Sequence, residues 1–132
     1  MLDFLKTQRV GVIAVEMPDG SPHGATVHFA HTEDPFRFIF LTDPESRKHE
    51  PLAGKKTVRA TFVIGASEET MKSLQMDGEA QLMDTPEVRD AYLSTFPGKI
   101  EKFAHNVLFT FSPIWWRYTD WKTPEGKKIW TS

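Results

Sequence analysis

Short apolar stretches separated by turn signals give the chain the pattern of a mainly β protein. The predicted strands occupy residues 10–17, 22–31, 36–42, 57–65 and 72–82. The first and third are almost continuously apolar, which is typical of strands covered on both faces. The last two alternate polar and apolar positions, which is typical of strands with one exposed face. A Pro-Asp-Gly turn after the first strand predicts a hairpin, so we expect the first three strands to form an antiparallel meander.

Two short helices are predicted between the strands. Asp43-Pro44-Glu45 places a favoured N-cap residue before Pro and an acid in the first turn. Pro51 and Gly54 are expected to end this helix. Thr85-Pro86-Glu87 repeats the start signal, and that helix should end near Pro97-Gly98.

The C-terminal part, residues 106–130, reads as at least two more strands, with Pro113 separating two runs. Thr123-Pro124-Glu125-Gly126 resembles a hairpin turn that would bring Trp121 towards Trp130. Gly78 is expected to mark a bulge or bend in its strand. Six or seven strands with two short helices predict one domain, residues 1–132, built as a closed or nearly closed antiparallel barrel.

Composition narrows the class of protein. The 132 residues carry a formal charge of -2, which argues against a nucleic-acid partner, and contain no cysteine, which excludes thiolate chemistry and cysteine-ligated metals. The N-terminal residues lack an apolar leader, and no stretch approaches the ~20 apolar residues of a membrane span. We therefore expect a soluble, cytoplasmic protein without a membrane partner.

Common catalytic motifs are missing. The chain has no G-x-S-x-G, G-x-G-x-x-G or P-loop motif, and no residue stands out as catalytic. His23 and His31 are predicted on one strand roughly 26 Å apart, with His28 on its opposite face, so they cannot bind one ion. We expect no metal site.

Two groups of residues are candidates for contacting a ligand. Ser46-Arg47-Lys48 puts a hydroxyl, a guanidinium and an ammonium at a predicted helix start, which suits a phosphate, although a solvated helix face would have the same composition. Trp115 and Trp116 are adjacent on a predicted strand and point to opposite faces. One of them must face solvent, a planar ligand or another subunit.

Residues 38–48, Phe-Ile-Phe-Leu-Thr-Asp-Pro-Glu-Ser-Arg-Lys, resemble the flavin-phosphate motif of the pyridoxamine 5'-phosphate oxidase-like family, and especially its short branch of general stress proteins. The order of the other elements is also similar over about residues 5–120. The resemblance implies a six- to seven-stranded FMN-binding split barrel, a homodimer with FMN at the interface, and a small oxidoreductase. A nicotinamide or another small molecule would be its redox partner.

By position, the resemblance implies these cofactor contacts: Thr26, Val27, His28, Leu41, Thr42, Ser46, Arg47 and Lys48, with Trp115 or Trp116 approaching the flavin of the partner subunit. Thr26 and His31 stand where true pyridoxamine phosphate oxidases have Arg and Lys, and the C-terminal Arg-x-His element is replaced. We therefore do not expect oxidation of pyridoxamine phosphate. Alternatives are a flavin-storage module, or the same barrel binding heme or the deazaflavin F420, for which Lys55, Lys56 and Arg59 are candidate contacts.

Overall fold

The computed structural model describes residues 1–54, 56–65 and 67–132. Its strands are β1 (Val10–Glu16), β2 (Pro22–His28), β3 (Ala30–Glu33), β4 (Phe36–Thr42), β5 (Val58–Gly65), β6 (Lys72–Leu82), β7 (Val107–Thr123) and β8 (Gly126–Thr131). Its helices are α1 (Leu2–Lys6), α2 (Pro86–Thr95), α3 (Lys99–Lys102) and a 3₁₀ helix (Arg47–Gly54). Within the described ranges, no helix is both long and apolar enough to cross a membrane.

The strands form one antiparallel sheet that curls into a half-barrel, in the order β2-β1-β5-β6-β7-β4-β3, with β8 added to β7. An aromatic core fills its concave side. Phe62 lies at the centre of this core and makes edge contacts with Phe29, Phe38 and Phe40 at centroid distances of 5.5, 5.2 and 5.0 Å. Burying such rings is the main force that closes the sheet.

A smaller apolar cluster covers the other side of β4. Ile39 from β4 is fully buried there with Val88 and Tyr92 from α2. The Thr85 hydroxyl accepts a hydrogen bond from the Val88 amide at 3.3 Å, so the predicted N-cap is confirmed. The expectation that residues 36–42 form a strand covered on both faces is also confirmed. The expected central position is wrong, because β4 lies next to the terminal strand β3 in the strand order.

The predicted strand 22–31 is wrong, because it is two strands with different partners. β2 pairs with β1, whereas β3 pairs with β4. Phe29 separates them: its ring is 1% exposed in the aromatic core, and its amide donates to the Arg9 carbonyl at 2.9 Å. The third predicted strand therefore pairs with β3 and β7 rather than with β2, and the expected three-strand meander does not form.

Two expectations about exposure and continuity are also wrong. β1 is not covered on both faces, since Val12 is 48% exposed on its outer side. Pro113 does not divide the C-terminal strand, because β7 runs through it. Opposite Pro113, the register shifts between Asp77 and Gly78, which confirms the predicted bulge. A Cβ at Gly78 would lie 2.1 Å from the Ser112 carbonyl oxygen, so this close approach requires glycine.

The first predicted helix begins later than expected and is of a different type. Residues 43–46 form a turn in which the Asp43 carboxylate accepts from the Glu45 amide at 2.9 Å, and the helix after it is 3₁₀ with Pro51 inside. Asp43 thus caps a turn rather than an α-helix. The C-terminal hairpin forms as predicted, but Trp130 packs on Tyr118 at 5.4 Å and not on Trp121.

Candidate functional site

A recess of about 200 Å³ opens where the ends of β2 and β4 meet the helical segments. Its lining residues are Thr26, Val27, His28, Leu41, Lys48, Tyr92, Lys99, Phe103 and Asn106. The first five belong to the cofactor contacts expected from the sequence. Two separate strands and the 3₁₀ helix therefore bring half of the predicted set to one place.

Behind the recess, a short hydrogen-bonded chain positions Lys48. The Thr42 side chain is 1% exposed, and its hydroxyl oxygen lies 3.0 Å from that of Ser46. The Lys48 ammonium donates to the same Ser46 oxygen at 3.4 Å. The Thr42 and Ser46 hydroxyls thus hold the Lys48 ammonium in place through hydrogen bonds, and the lysine side chain is half-buried.

The electrostatic character of the recess favours an anion. Its lining contains two lysines and a histidine but no carboxylate. Burial lowers the pKa of Lys48, and the nearby Asp43 carboxylate opposes this shift only in part. Burial also raises the pKa of Tyr92 to about 12, so its phenol stays neutral at physiological pH. An anion in the recess would compensate a partly desolvated positive charge.

The helical side of the recess was not anticipated from the sequence. The Lys99 ammonium lies 5.5 Å from the ring centroid of Phe96 and 5.8 Å from that of Phe103. Asn106 immediately precedes β7, and its side-chain oxygen is buried without a hydrogen-bond partner. No local motif marks these residues, because their positions depend on distant contacts. The pairing of Val107 with Thr42 places Asn106, and the packing of Phe96 and Ile100 in the cluster with Ile39 places Lys99.

Arg47 and the two tryptophans do not line the recess. The Arg47 side chain is exposed; hydrogen bonds from Ser21 and, more weakly, the charge of Arg47 lower the pKa of Asp19. Trp116 packs against the aromatic core opposite Met76, whereas Trp115 faces the other side of β7. The expectation that the pair points to opposite faces is confirmed.

Trp115 lines a second concavity, a groove of about 570 Å³ on the outer face of β1, β5, β6 and β7, whose lining also includes the carboxylates of Asp77 and Glu79. Ile114 contributes to the groove and is 73% exposed. Arg59 and Glu16 also line the groove, where they form an ion pair, and both side chains remain accessible to solvent. The groove and the recess share no lining residue.

The histidines do not assemble into a metal centre. His23 and His28 lie on β2, His31 lies on β3, and no group of three potential ligands occurs among the residues that the structure describes. His105 instead lies 3.9 Å from the Asp43 carboxylate. Burial lowers the pKa of His31, with Glu33 opposing the shift.

A curled antiparallel half-barrel with a recess lined by two lysines and a histidine at the end of β4 is typical of a split-barrel protein. The profile of the family described as pyridoxamine 5'-phosphate oxidase matches residues 1–123. The chain belongs to this family. No curated protein matches it in sequence.

Several solved structures share the fold of this chain. A pyridoxamine 5'-phosphate oxidase-related, FMN-binding protein from Nostoc punctiforme PCC 73102 is 18% identical, with 93% of this chain and 79% of that chain covered and a TM-score of 0.65. A candidate general stress protein 26 from Jannaschia sp. CCS1 is 17% identical, with 98% of this chain and 93% of that chain covered and a TM-score of 0.73. The heme storage protein HutZ from Vibrio cholerae is 16% identical, with 85% of this chain and 86% of that chain covered and a TM-score of 0.66. At these identities the likeness establishes the fold alone.

Proposed function

We infer that the chain binds FMN, with the flavin phosphate in the recess, and acts as a small homodimeric oxidoreductase. The observation that carries this proposal is the convergence of Thr26, Val27, His28, Leu41 and Lys48 on one carboxylate-free recess. These residues come from β2, β4 and the 3₁₀ helix, and the β2 residues are more than ten positions away from Leu41 and Lys48 along the chain. A solvated helix face would not require them to meet. The FMN-binding neighbour from Nostoc punctiforme supports the same choice of ligand.

The polar groups present fit a phosphate. Lys48 offers a partly desolvated ammonium, and the Ser46 hydroxyl beside it can donate to an additional oxygen. The volume of about 200 Å³ is below the roughly 300–1,000 Å³ of sites that enclose a whole small molecule. We therefore place the phosphate and part of the ribityl chain inside the recess, with the flavin ring outside it along β2.

A second copy of the chain is proposed to cover the ring. The outer groove offers an indole at Trp115 and apolar surface at Ile114, and it lies on a face where Val12 is also exposed. Large exposed apolar side chains grouped on one sheet face are typical of a protein interface. We propose that Trp115 approaches the flavin of the partner subunit, whereas Trp116 packs against the aromatic core.

FMN, when bound, supplies electron and hydride transfer, so the chain needs to position the cofactor and leave one face open to a donor. We propose a reduced nicotinamide or another small molecule as donor. His31 stands where true pyridoxamine phosphate oxidases have a lysine, and burial lowers the pKa of its imidazole, so it provides no comparable cation. The proposal therefore does not extend to oxidation of pyridoxamine phosphate.

The first experiment is a visible absorption spectrum of the purified chain, followed by denaturation and chromatographic identification of any released chromophore. FMN at about one molecule per chain is expected. The double variant Arg47→Ala with Lys48→Ala should lose FMN, whereas Lys56→Ala, which removes an exposed cation outside the recess, should retain it. Retention of FMN by the double variant would refute the assigned site.

Measurements on the same purified chain distinguish two other roles from the proposed one. A heme role is favoured by the HutZ neighbour and by His28, whose imidazole lines the recess and contacts the Phe96 ring edge-on at 6.2 Å. It would give a Soret band that His28→Ala abolishes. A flavin-storage module would carry FMN yet fail to oxidise NADH or NADPH in a steady-state assay.

An F420 role would require basic residues for its long acidic tail. Lys55 lies outside the described residues, Lys56 is exposed, and Arg59 is paired with Glu16. Neither Lys56 nor Arg59 lines the recess. Chromatography of the released chromophore distinguishes F420 from FMN directly.

A further inference from the structure

The outer groove carries charged residues in one row across three neighbouring strands. Strand pairing places Glu79 of β6 beside Arg59 of β5, and Arg59 is ion-paired with Glu16 of β1. The Arg59 side chain is 83% exposed. Among the residues that the structure describes, no ion pair includes Glu79. The row therefore offers a negative and a positive charge on adjacent strands in the middle of the groove.

The next row on the same face is small at one end and aromatic at the other. From β2 to β7 its members are Gly24, Ala14, Thr61, Asp77 and Trp115. The chain's own packing does not require the glycine, because its φ lies outside the left-handed region and a Cβ there would meet Val12 at 3.9 Å, an ordinary contact. Gly24 and Ala14 thus leave space above the sheet.

These two rows determine how a second copy can lie against the groove. An isologous dimer places the same surface of both chains face to face about a two-fold axis. With the axis parallel to the strands and midway between β5 and β6, β6 lies over β5 of the partner subunit, and β7 lies over its β1. Glu79 then faces the partner's Arg59. An axis through β5 or through β6 would instead place Arg59 opposite the partner's Arg59, or Glu79 opposite the partner's Glu79.

We propose that two copies pack groove against groove about this axis, with Glu79 paired to the partner's Arg59 and Trp115 seated over Ala14 and Gly24 of the partner subunit. The inference rests on the homodimer of the proposed function and specifies the residues that align it. Thr26, which lines the recess, follows Gly24 by two positions on the same face of β2. Each indole therefore lies beside the position proposed for the flavin ring of the other subunit.

The ion pairs select this arrangement more than they strengthen it. Exposed ion pairs contribute little free energy, whereas like charges that face each other across an interface are strongly unfavourable. Each pair occurs twice in a two-fold dimer, so a single substitution changes two contacts. Reversal of one charge should consequently have a larger effect on self-association than its removal.

Charge reversal tests the pairing in the ligand-free chain, with the dimer Kd measured by analytical ultracentrifugation. Glu79→Arg and Arg59→Glu should each raise this Kd by at least about tenfold, because each places like charges opposite one another. The double variant restores opposite charges and should bring Kd to within about fivefold of the parent value. The remaining difference reflects the carboxylate that it places beside Glu16.

Asp77→Arg is the matched control for charge. Asp77 lies on the same strand as Glu79 and lines the same groove, but the proposed axis places it opposite the partner's Thr61. This variant should change the dimer Kd by less than about threefold. Combined with Arg59→Glu, it should not restore self-association.

Gly24→Ala tests the seat of the indole. The added methyl group fits within its own chain, so the circular dichroism spectrum should not change. It occupies the space proposed for the partner's Trp115, so the dimer Kd should rise by about three- to tenfold. In a Trp115→Ala background the same substitution should change Kd by less than about twofold, because the two effects are coupled.

The outcomes distinguish this inference from flavin binding. A parent chain that stays monomeric, or a charge-exchanged double variant that associates no better than the single variants, would overturn the inference, whether or not FMN is released. Restoration by Asp77→Arg as complete as that by Glu79→Arg would also overturn it, because only net charge would then matter. A dimer that shows the specific restoration but carries no flavin would support the interface and refute the proposed flavin function.

Discussion

Replacing Lys48 by methionine should separate the binding role of this lysine from its effect on stability. Methionine keeps an unbranched apolar stem of similar length, so the half-buried part of the side chain retains its packing. The substitution removes the ammonium and its hydrogen bond to Ser46. It leaves in place the contact between the Thr42 and Ser46 hydroxyls beneath it.

The two expected effects have opposite signs. Burial lowers the pKa of Lys48, which means that the folded, ligand-free chain disfavours the charged form. Because the side chain is partly exposed, its removal should raise the free energy of unfolding by no more than a few tenths of a kcal/mol. A charge-assisted hydrogen bond to phosphate contributes about 1.5 to 3 kcal/mol, so Kd for FMN should rise by about 10- to 150-fold.

Urea denaturation of the ligand-free chain and a fluorescence titration with FMN measure the two effects separately. Riboflavin serves as the matched ligand, because it lacks the phosphate and its affinity should change little. A Lys48→Met chain that unfolds more easily by over about 1 kcal/mol, yet binds FMN as tightly as the parent, would refute the reasoning. The lysine would then be a structural residue rather than a phosphate ligand.

Three further predictions follow from the geometry. FMN affinity should fall as pH rises through the lowered pKa of Lys48, because phosphate binding needs the protonated amine, and Lys48→Arg should move this loss to higher pH in the same titration. Gly78→Ala should destabilise the chain by about 1 to 3 kcal/mol in urea denaturation, because its Cβ would meet the Ser112 carbonyl at 2.1 Å. Ile114→Asp should leave the fold intact, because the side chain is 73% exposed, but weaken self-association measured by analytical ultracentrifugation.

Each of these predictions has a control within the chain. FMN is titrated into the parent chain and into the Lys48→Arg variant, so ionisation of the flavin ring affects both measurements equally. Identical pH profiles of FMN affinity in the two chains would contradict the first prediction. Gly54→Ala has open space around its Cβ, so an equal loss in both glycine variants would contradict the second. Ile129→Asp changes an exposed residue on β8, and the third prediction fails if Ile114→Asp self-associates as strongly as Ile129→Asp.

Local patterns were sufficient for most of the elements. The alternation of residues 72–82 predicted β6 with its observed bounds, and Thr85 capped α2 as its side chain and sequence position indicated. Gly78 marked a bulge because a glycine inside a strand has no side chain to pack. These features depend on neighbours along the chain, which are visible in the sequence.

Errors arose where a distant partner overrode the local pattern. Residues 22–31 read as one strand, but burial of Phe29 in the aromatic core divides them and sends β3 to β4. Pro113 read as a break, but the bulge at Gly78 on the neighbouring strand accommodates it within β7. In both cases, packing against residues far along the chain outweighed local preference.

The candidate site likewise contains residues that the local sequence predicted and residues that only distant contacts bring together. Its motif half, from Leu41 to Lys48, was predictable because a buried strand and the hydroxyl and cationic residues after it are consecutive. Its other half depends on contacts between distant segments that no local pattern records. The pairing of β7 with β4, whose partner residues are 65 to 73 positions apart, places Asn106, and the packing of Phe96 and Ile100 with Ile39 places Lys99. The sequence by itself therefore determined the β-rich fold class and the group of hydroxyl and cationic residues that follows β4. Only the tertiary structure decided which strands are neighbours, which residues close the recess, and that the two tryptophans face a core and a groove, because those depend on long-range burial.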